Sequence, residues 1–218
     1  MNDYNIDIKN YELMSKIGEG SFGSVWKAKN TIKKKEYAVK IIKYKDENKK
    51  LIKREINIMI HAKHPTIVKF IGYNINESTN EVYIIMELAE QGSLQSILDN
   101  EERSLPIPDY DNTARQIILI SIIRGIMYLH RNQIIHRDLK PDNILIGKDF
   151  KTCISDFGLS KYFKDEKSIS YSNGMCGTPF TMAPEVINSE ENITVKSDIY
   201  SFGIIMYQVL FGQIKLPA

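Results

Sequence analysis

The stretch that decides the fold of this chain is IIHRDLKPDNILI, from Ile134 to Ile146. It places His, Arg, Lys, Asn and two Asp between two apolar, strand-like ends. A solvated loop does not need this selection, because Ser, Gly or Glu would serve there equally well. The plain alternative is a charged turn stabilised by Pro141 and capped by Asp142. That alternative does not explain an Asp and an Asn five positions apart with a Lys between them.

Transfer of a phosphoryl group to a hydroxyl uses the residue types found in this stretch. A carboxylate must orient the nucleophile and accept its proton, a cation must lie near the transferred group, and an oxygen ligand must hold Mg²⁺. Asp138, Lys140 and Asn143 can supply these three functions. Asp156, in ISDFGLSK, follows thirteen positions after Asn143 and offers a second ligand for an octahedral, phosphate-bridging Mg²⁺.

A glycine-rich motif, GxGxxGxV, lies upstream in IGEGSFGSVW. Glycines let a backbone pass close to phosphate oxygens, but dinucleotide-binding folds use the same spacing. Those folds need a helix directly after the glycines, whereas residues 24–29 have the composition of a strand. We interpret the motif as a hairpin flap over a nucleotide. A structural turn is the alternative, and a nicotinamide-dependent dehydrogenase would rest on this motif alone.

Two further charged residues, Lys40 in YAVKII and Glu55 in KREINIM, belong to the same pattern. Each alone would be a solvated strand or helix charge, since most surface ion pairs contribute little. Lys40, however, lies 22 positions after Gly18, the first glycine of the motif. A strand-to-helix pair with Glu55 would hold the Lys40 ammonium facing the phosphates.

Local patterns divide the chain into two regions. The segments SVWKAK, EYAVKII and VYIIMEL predict β-strands. Apolar residues at helical spacing predict a helix from about Lys49 to Ala62. The apolar runs from Ala114 to His130 and from Ile199 to Phe211 predict helices buried in a core. A boundary near residues 87–92 therefore separates a mostly β lobe from a mostly α lobe.

Bulk composition indicates a globular protein with no polyanionic partner. The 218 residues are 43% hydrophobic and carry a net charge of only +2, so we expect neither nucleic acid nor an anionic membrane as a partner. The apolar runs are shorter than the roughly 18–20 residues that span a bilayer. Cys153 and Cys176 form no CxxC pair and the first residues lack a signal-peptide pattern, so we expect a reducing, cytoplasmic compartment.

Taken in order, these motifs resemble the eukaryotic protein kinases of the serine/threonine type, from Ile17 to about Phe211. The resemblance implies an α+β, protein-kinase-like bilobal fold with a β-rich N-terminal lobe and a mostly helical, incomplete C-terminal lobe. The Lys in HRDLKPDN and Thr178 in CGTP resemble the serine/threonine branch. The implied divisions are an extension at 1–10 and a kinase domain at 11–218, with an N-lobe at 11–86, a hinge at 87–92 and a partial C-lobe at 93–218.

The resemblance also implies a reaction and a set of site residues. The chain would transfer the γ-phosphate of Mg·ATP to Ser or Thr hydroxyls of a protein substrate, with Asp138 as catalytic base and Lys140 steadying the γ-phosphate. Lys40 would contact the α- and β-phosphates and would be held by Glu55. Asn143 and Asp156 would bind Mg²⁺. The residues implied to contact ATP are Ile17, Gly18, Glu19, Gly20, Ser21, Phe22, Gly23, Ser24, Val25, Ala38, Lys40, Met86, Glu87, Ala89 and Leu145.

Regulation and packing are implied in the same way. Arg137 resembles the Arg of kinases that an upstream kinase activates by phosphorylating the activation loop. Ser-rich loops are also common simply because they are solvated. An apolar column linking the lobes would make His136 a packed core residue, and not a base or metal ligand. The candidate phosphosites are Ser168, Ser170, Tyr171 and Ser172, and the column residues are Met59, Phe70, His136 and Phe157.

Two features depart from the family pattern. Thr181 stands where Tyr is usual before APE, which concerns peptide docking more than ATP binding. The sequence also stops at GQIKLPA, before the family helices that supply an Arg partner for Glu185. A buried carboxylate without its partner costs roughly 3–5 kcal/mol, so we expect poor stability of this chain. A truncated, catalytically silent ATP-binding or scaffolding module is the alternative function.

Overall fold

The computed structural model of the chain describes residues 4–20, 23–163, 179–187 and 194–214. The chain divides into two compact units, Met1–Ala89 and Glu90–Ala218. The first unit contains β1 (Tyr11–Gly20), β2 (Gly23–Asn30), β3 (Glu36–Lys43), α1 (Lys49–His61), β4 (Phe70–Asn76) and β5 (Glu81–Glu87). The second contains α2 (Leu94–Glu102), α3 (Asn112–Arg131), β6 (Ile134–Ile135), β7 (Ile144–Ile146), β8 (Thr152–Ile154), β9 (Lys161–Tyr162), α4 (Pro184–Ile187) and α5 (Val195–Phe211).

The first unit is built on an antiparallel sheet with the strand order β1-β2-β3-β5-β4. The three predicted strand segments lie in β2, β3 and β5, as their β-branched and aromatic residues indicate. The sequence FIGYNIN of β4 gives a weaker signal, because Gly and Asn interrupt it. One core cluster on this sheet contains the buried residues Ala28, Tyr37, Val39 and Ile85, with the partly buried Ile6 and Ile8 packed against it.

Helix α1 confirms the helix predicted from apolar spacing, and it ends one residue earlier than predicted. Its buried residues are Ile52, Glu55, Ile56, Ile58 and Met59, at the spacing of one helix face. Glu55 is thus a carboxylate on the apolar side of an amphipathic helix, with only 3% of its surface exposed. A buried charge of this kind requires a partner that bonds to it.

The helices of the second unit begin at residues suited to N-caps. Ser93 caps α2, Asp111 caps α3 and Thr194 caps α5, each accepting a bond from a backbone N–H of the first turn. Two antiparallel strand pairs, β6 with β9 and β7 with β8, complete the described part of this unit.

The two helices predicted from apolar runs, α3 and α5, are confirmed as helices, but only one face of each is buried. In α3, Ile118, Ile122 and Ile126 are fully buried, whereas Ile120 is 49% exposed. In α5, Ile205 is buried and Phe211 is 74% exposed. A sequence that is apolar on every face does not indicate which face packs, so only the structure assigns it. Among the described residues, neither of these helices nor any other is long and apolar enough to cross a membrane.

Candidate active site

A buried ion pair joins strand β3 to helix α1. Lys40 Nζ lies 2.7 Å from Glu55 Oε1, and the two side chains are 8% and 4% exposed. Both charged groups are desolvated, and the short charge-assisted hydrogen bond between them offsets part of the free-energy cost of burying them. The pair fixes the position of the Lys40 ammonium, which a flexible lysine at a surface would not achieve.

The glycine-rich motif forms the hairpin between β1 and β2. Gly18 pairs with Val25, Glu19 with Ser24, and Gly20 with Gly23. Gly23 has a φ of +143°, and a Cβ there would meet the Ile41 carbonyl oxygen at 2.0 Å, so no other residue fits. A strand, and no helix, follows the motif, which favours the hairpin interpretation over the dinucleotide one. Ser21 and Phe22 lie outside the described residues, and Ile17 is 49% exposed.

Several residues of the first unit that are predicted to contact ATP lie on adjacent strands. Ala38 on β3 is the register partner of Met86 on β5, and both side chains are buried. Val25 on β2 is the register partner of Lys40 on β3. Glu87 ends β5 and pairs at the surface with Lys35, whose Nζ lies 3.3 Å from its carboxylate.

Two predicted contacts lie elsewhere in the chain. Ala89 is the last residue of the first unit. Leu145 belongs to the second unit, where it stands on β7 opposite Cys153 of β8 and bridges to Ser93.

Asp138, Lys140 and Asn143 form one bonded cluster. Lys140 Nζ lies 3.3 Å from Asp138 Oδ2. Asn143 Nδ2 donates to the Asp138 carbonyl oxygen at 2.7 Å and to its Oδ2 at 2.9 Å. Asn143 stands at the end of a short 3₁₀ helix, Pro141–Asn143, which turns its side chain back toward Asp138. The carboxylate therefore has a fixed orientation.

The electrostatics of this cluster suit a proton acceptor. Burial raises the pKa of the Asp138 carboxyl above its ordinary value, and this outweighs the lowering by the Lys140 charge, by His136 and by the hydrogen bonds from Lys140 and Asn143. A raised pKa makes the carboxylate a stronger base.

The two predicted metal ligands are held by one local network. The backbone N–H and the hydroxyl of Ser155 donate to the Asn143 carbonyl oxygen at 2.9 Å and 3.0 Å. The next residue, Asp156, has a φ of +59°. Its Oδ1 accepts a bond from the Gly158 N–H at 3.3 Å. Asn143 uses its Nδ2 in the bonds to Asp138. An amide oxygen together with a carboxylate is a ligand set that suits Mg²⁺.

Sequence reasoning missed the residue that anchors this loop, Asp198 of α5. Its carboxylate is 1% exposed and accepts bonds from the backbone N–H groups of His136 and Arg137, both at 2.9 Å. It also bonds to His130 Nε2 at 2.8 Å. An Asp in the first turn of a helix usually interacts with the helix dipole, so the sequence alone gave no signal for this role.

His136 is a packed core residue, as predicted. It has no exposed surface, and one ring nitrogen bonds to the Ser155 carbonyl oxygen at 2.9 Å. Its ring meets the Phe157 ring edge to face, with centroids 5.3 Å apart. The other two residues of the predicted column, Met59 and Phe70, belong to the first unit.

The last predicted residues to be located lie in and after the activation loop. The segment with the candidate phosphosites Ser168, Ser170, Tyr171 and Ser172, together with Thr178, lies outside the described residues. Thr181 is buried, and its carbonyl oxygen accepts a bond from the Ser201 hydroxyl at 2.7 Å. The expectation that Glu185 is buried is wrong: it lies in the short helix α4 and is only partly buried, so it does not carry the full cost of a buried charge.

Comparison with known proteins places the chain in a family. The family model described as protein kinase domain matches residues 11–218. Serine/threonine-protein kinase PLK4 of Drosophila willistoni is 33% identical over 222 residues, which cover 97% of this chain and 26% of that protein. A probable myosin light chain kinase of Dictyostelium discoideum is 36% identical over 212 residues, which cover 94% of this chain and 64% of that protein. Serine/threonine protein kinase OSK3 of Oryza sativa subsp. indica is 34% identical over 209 residues, which cover 94% and 39%.

The chain therefore belongs to the protein kinase family. Two of these relatives are named as serine/threonine kinases, and the third is named as a probable myosin light chain kinase. The α+β fold agrees with this membership. The chain spans 26% to 64% of the length of these three relatives.

Proposed function

We propose that this chain is an ATP-dependent protein serine/threonine kinase, with the kinase domain at 11–218 and the hinge at 87–92. The observation that carries the proposal is the Asp138 cluster, in which a carboxylate with a raised pKa is held by Lys140 and Asn143. A carboxylate in this state can orient a substrate hydroxyl and accept its proton. We place the activity in the cytoplasm and propose an upstream kinase acting on the activation loop.

Each site residue has a role that its contacts support. Asp138 accepts the proton of the attacking Ser or Thr hydroxyl, and Lys140 steadies the γ-phosphate. Lys40, fixed by Glu55 at 2.7 Å, binds the α- and β-phosphates of ATP. Asn143 and Asp156 hold Mg²⁺, which neutralises charge on the phosphates when bound.

The remaining predicted residues bind the nucleotide. The hairpin of β1 and β2 covers ATP, with its backbone amides toward the phosphates. Val25, Ala38 and Leu145 contact adenine, Met86 guards the back of the pocket, and the backbone of Glu87 and Ala89 bonds to the base.

The test is transfer of labelled γ-phosphate from Mg·ATP to a generic basic protein. Three chains are compared: the parent, Asp138→Asn, and Asp142→Asn, the last being a matched control because Asp142 is exposed in the same loop. Transfer by the parent and the control, but not by Asp138→Asn, is the expected result. Transfer by none of the three folded chains, with Mg·ATP binding retained, would overturn the kinase proposal and leave the silent ATP-binding module.

A further inference from the structure

The residues before the family match, Tyr4 to Asn10, pack on the sheet of the first unit. Their exposure alternates: Tyr4, Ile6, Ile8 and Asn10 are partly buried, and the residues between them are exposed. Over Tyr4 to Asp7 this is the period of an extended segment with one face against a surface, and Ile8–Asn10 form a short 3₁₀ helix that follows it. Ile6 and Ile8 pack against the core cluster on the sheet.

Backbone and side-chain bonds attach this N-terminal segment to β4, the edge strand. Asn5 forms a parallel bridge with Tyr73, and the Ile6 N–H donates to the Tyr73 carbonyl oxygen at 2.9 Å. Asn74 Nδ2 donates to the Ile6 carbonyl oxygen, also at 2.9 Å. The segment therefore covers backbone groups that an edge strand would otherwise expose.

Gly72 of β4 is the point of closest approach. A Cβ at Gly72 would lie 2.7 Å from the Tyr4 carbonyl oxygen and 2.8 Å from Ile6 Cγ2. The glycine thus provides the space that the N-terminal segment fills, and any side chain there would displace the segment. The packing of the N-terminal segment can therefore be disturbed by a substitution at Gly72, which lies outside the segment.

Tyr4 connects this edge to the end of helix α1. Its ring packs on the Phe70 ring, with centroids 5.5 Å apart. Its hydroxyl accepts a bond from Lys63 Nζ at 2.9 Å. Lys63 lies two residues after His61, the last residue of α1, and its backbone N–H donates to the His61 carbonyl oxygen. A displacement of Tyr4 would therefore remove contacts at the C-terminal end of α1, the helix that carries Glu55.

We propose that the N-terminal segment positions helix α1, and that Tyr4 is a positioning residue for the Lys40–Glu55 pair. The segment lies outside residues 11–218, the range of the family match, so it adds to the family's own structure. The kinetic effect of this positioning rests on the proposed kinase function. The structural effect, on α1 itself, does not depend on turnover.

The first experiment compares Gly72→Ala and Tyr4→Ala with the parent, and uses Lys9→Ala as control because Lys9 is exposed in the same segment. Hydrogen exchange of the amides at 49–61 is expected to be faster in both variants and unchanged in the control. The KM for ATP is expected to rise about two- to tenfold, the effect of losing roughly one net hydrogen bond, while kcat changes less. Tyr4→Phe keeps the ring but loses the hydroxyl, so its exchange rate and its KM for ATP should lie between those of the parent and those of Tyr4→Ala.

The second experiment separates positioning from a general loss of stability. Gly72→Ala should have no effect on α1 exchange in a chain that lacks residues 2–9, because the substitution acts only by displacing the segment. Tyr4→Ala should not weaken equilibrium binding of Mg·ATP further in a Glu55→Gln chain, in which binding is measured directly because phosphate transfer is expected to be lost. If the proposed contacts carry the changes in α1 exchange and in nucleotide binding, each change disappears once its contact has been removed. If the substitutions acted independently of those contacts, their effects would add to the effect of removing the contact.

The proposal is overturned if Gly72→Ala and Tyr4→Ala lower the melting temperature while exchange of α1 stays at the parent rate. It is also overturned if Gly72→Ala has the same effect with and without residues 2–9. A parent chain that transfers no phosphate would contradict the proposed function alone, since α1 exchange still decides this inference.

Discussion

The Lys40–Glu55 pair gives the sharpest test of how burial determines the energetics of the first unit. Glu55→Leu would remove the carboxylate that lies 2.7 Å from the Lys40 ammonium, in a site where the two side chains are 8% and 4% exposed. Removing one partner of a buried pair costs about 3–5 kcal/mol. Replacing both, as Lys40→Met with Glu55→Leu, should restore most of that loss, because neither charge of the pair remains to be buried alone.

The assay is urea unfolding followed by circular dichroism. With an m-value of about 2 kcal/mol/M, either single substitution should lower the urea midpoint by about 1.5–2.5 M. The double variant should return close to the parent. All variants that change Lys40 or Glu55 should lose phosphate transfer, so the double variant is expected to be stable and inactive.

A surface pair provides the matched control. Lys27 Nζ lies 2.9 Å from Glu36 Oε2, a similar distance, but the side chains are 32% and 42% exposed. The same double-mutant cycle there should give a coupling of no more than about 1 kcal/mol. If the buried cycle gave a coupling as small as the surface cycle, or if the double variant equalled the sum of the singles, the argument from burial would be refuted.

Further predictions concern four single positions. Gly23→Ala should cost more than about 1 kcal/mol in a thermal melt, because its Cβ would meet a carbonyl oxygen at 2.0 Å. Gly18→Ala, with its nearest contact at 3.6 Å, should stay within about 0.5 kcal/mol of the parent. Asp198→Asn should cost about 1–3 kcal/mol and reduce phosphate transfer, since its amide would face a buried backbone N–H; an unchanged melt would contradict this. Asp138→Asn should raise the melting temperature at pH 7, because burial raises the folded-state pKa and the ionised carboxyl opposes folding. That gain in melting temperature should vanish at a pH below the ordinary Asp pKa, where the carboxyl is protonated in the folded and the unfolded chain. An equal gain at pH 7 and at the low pH would show that the ionised carboxyl does not oppose folding.

Much of the local structure could be predicted from the sequence. Helix α1 follows from apolar residues at helical spacing, and β2, β3 and β5 follow from their β-branched and aromatic residues. These patterns are local: each depends on which backbone conformation a short run of side chains favours. The order of HRDLKPDN and DFG along the chain is likewise a property of the sequence, and it indicated the family that the comparisons then gave.

What the sequence could not predict depends on contacts between distant positions. Asp198 bonds to backbone N–H groups 61 and 62 positions away, and its own neighbours in the sequence give no sign of this. The buried face of α5 and the packing of Tyr4 against Phe70 are of the same kind. The sequence by itself determined the local elements and the chemical groups available for phosphate transfer. Only the tertiary structure decided which charges are buried and which partners hold them, because burial depends on how complete surfaces pack together and not on the spacing of residues along one segment.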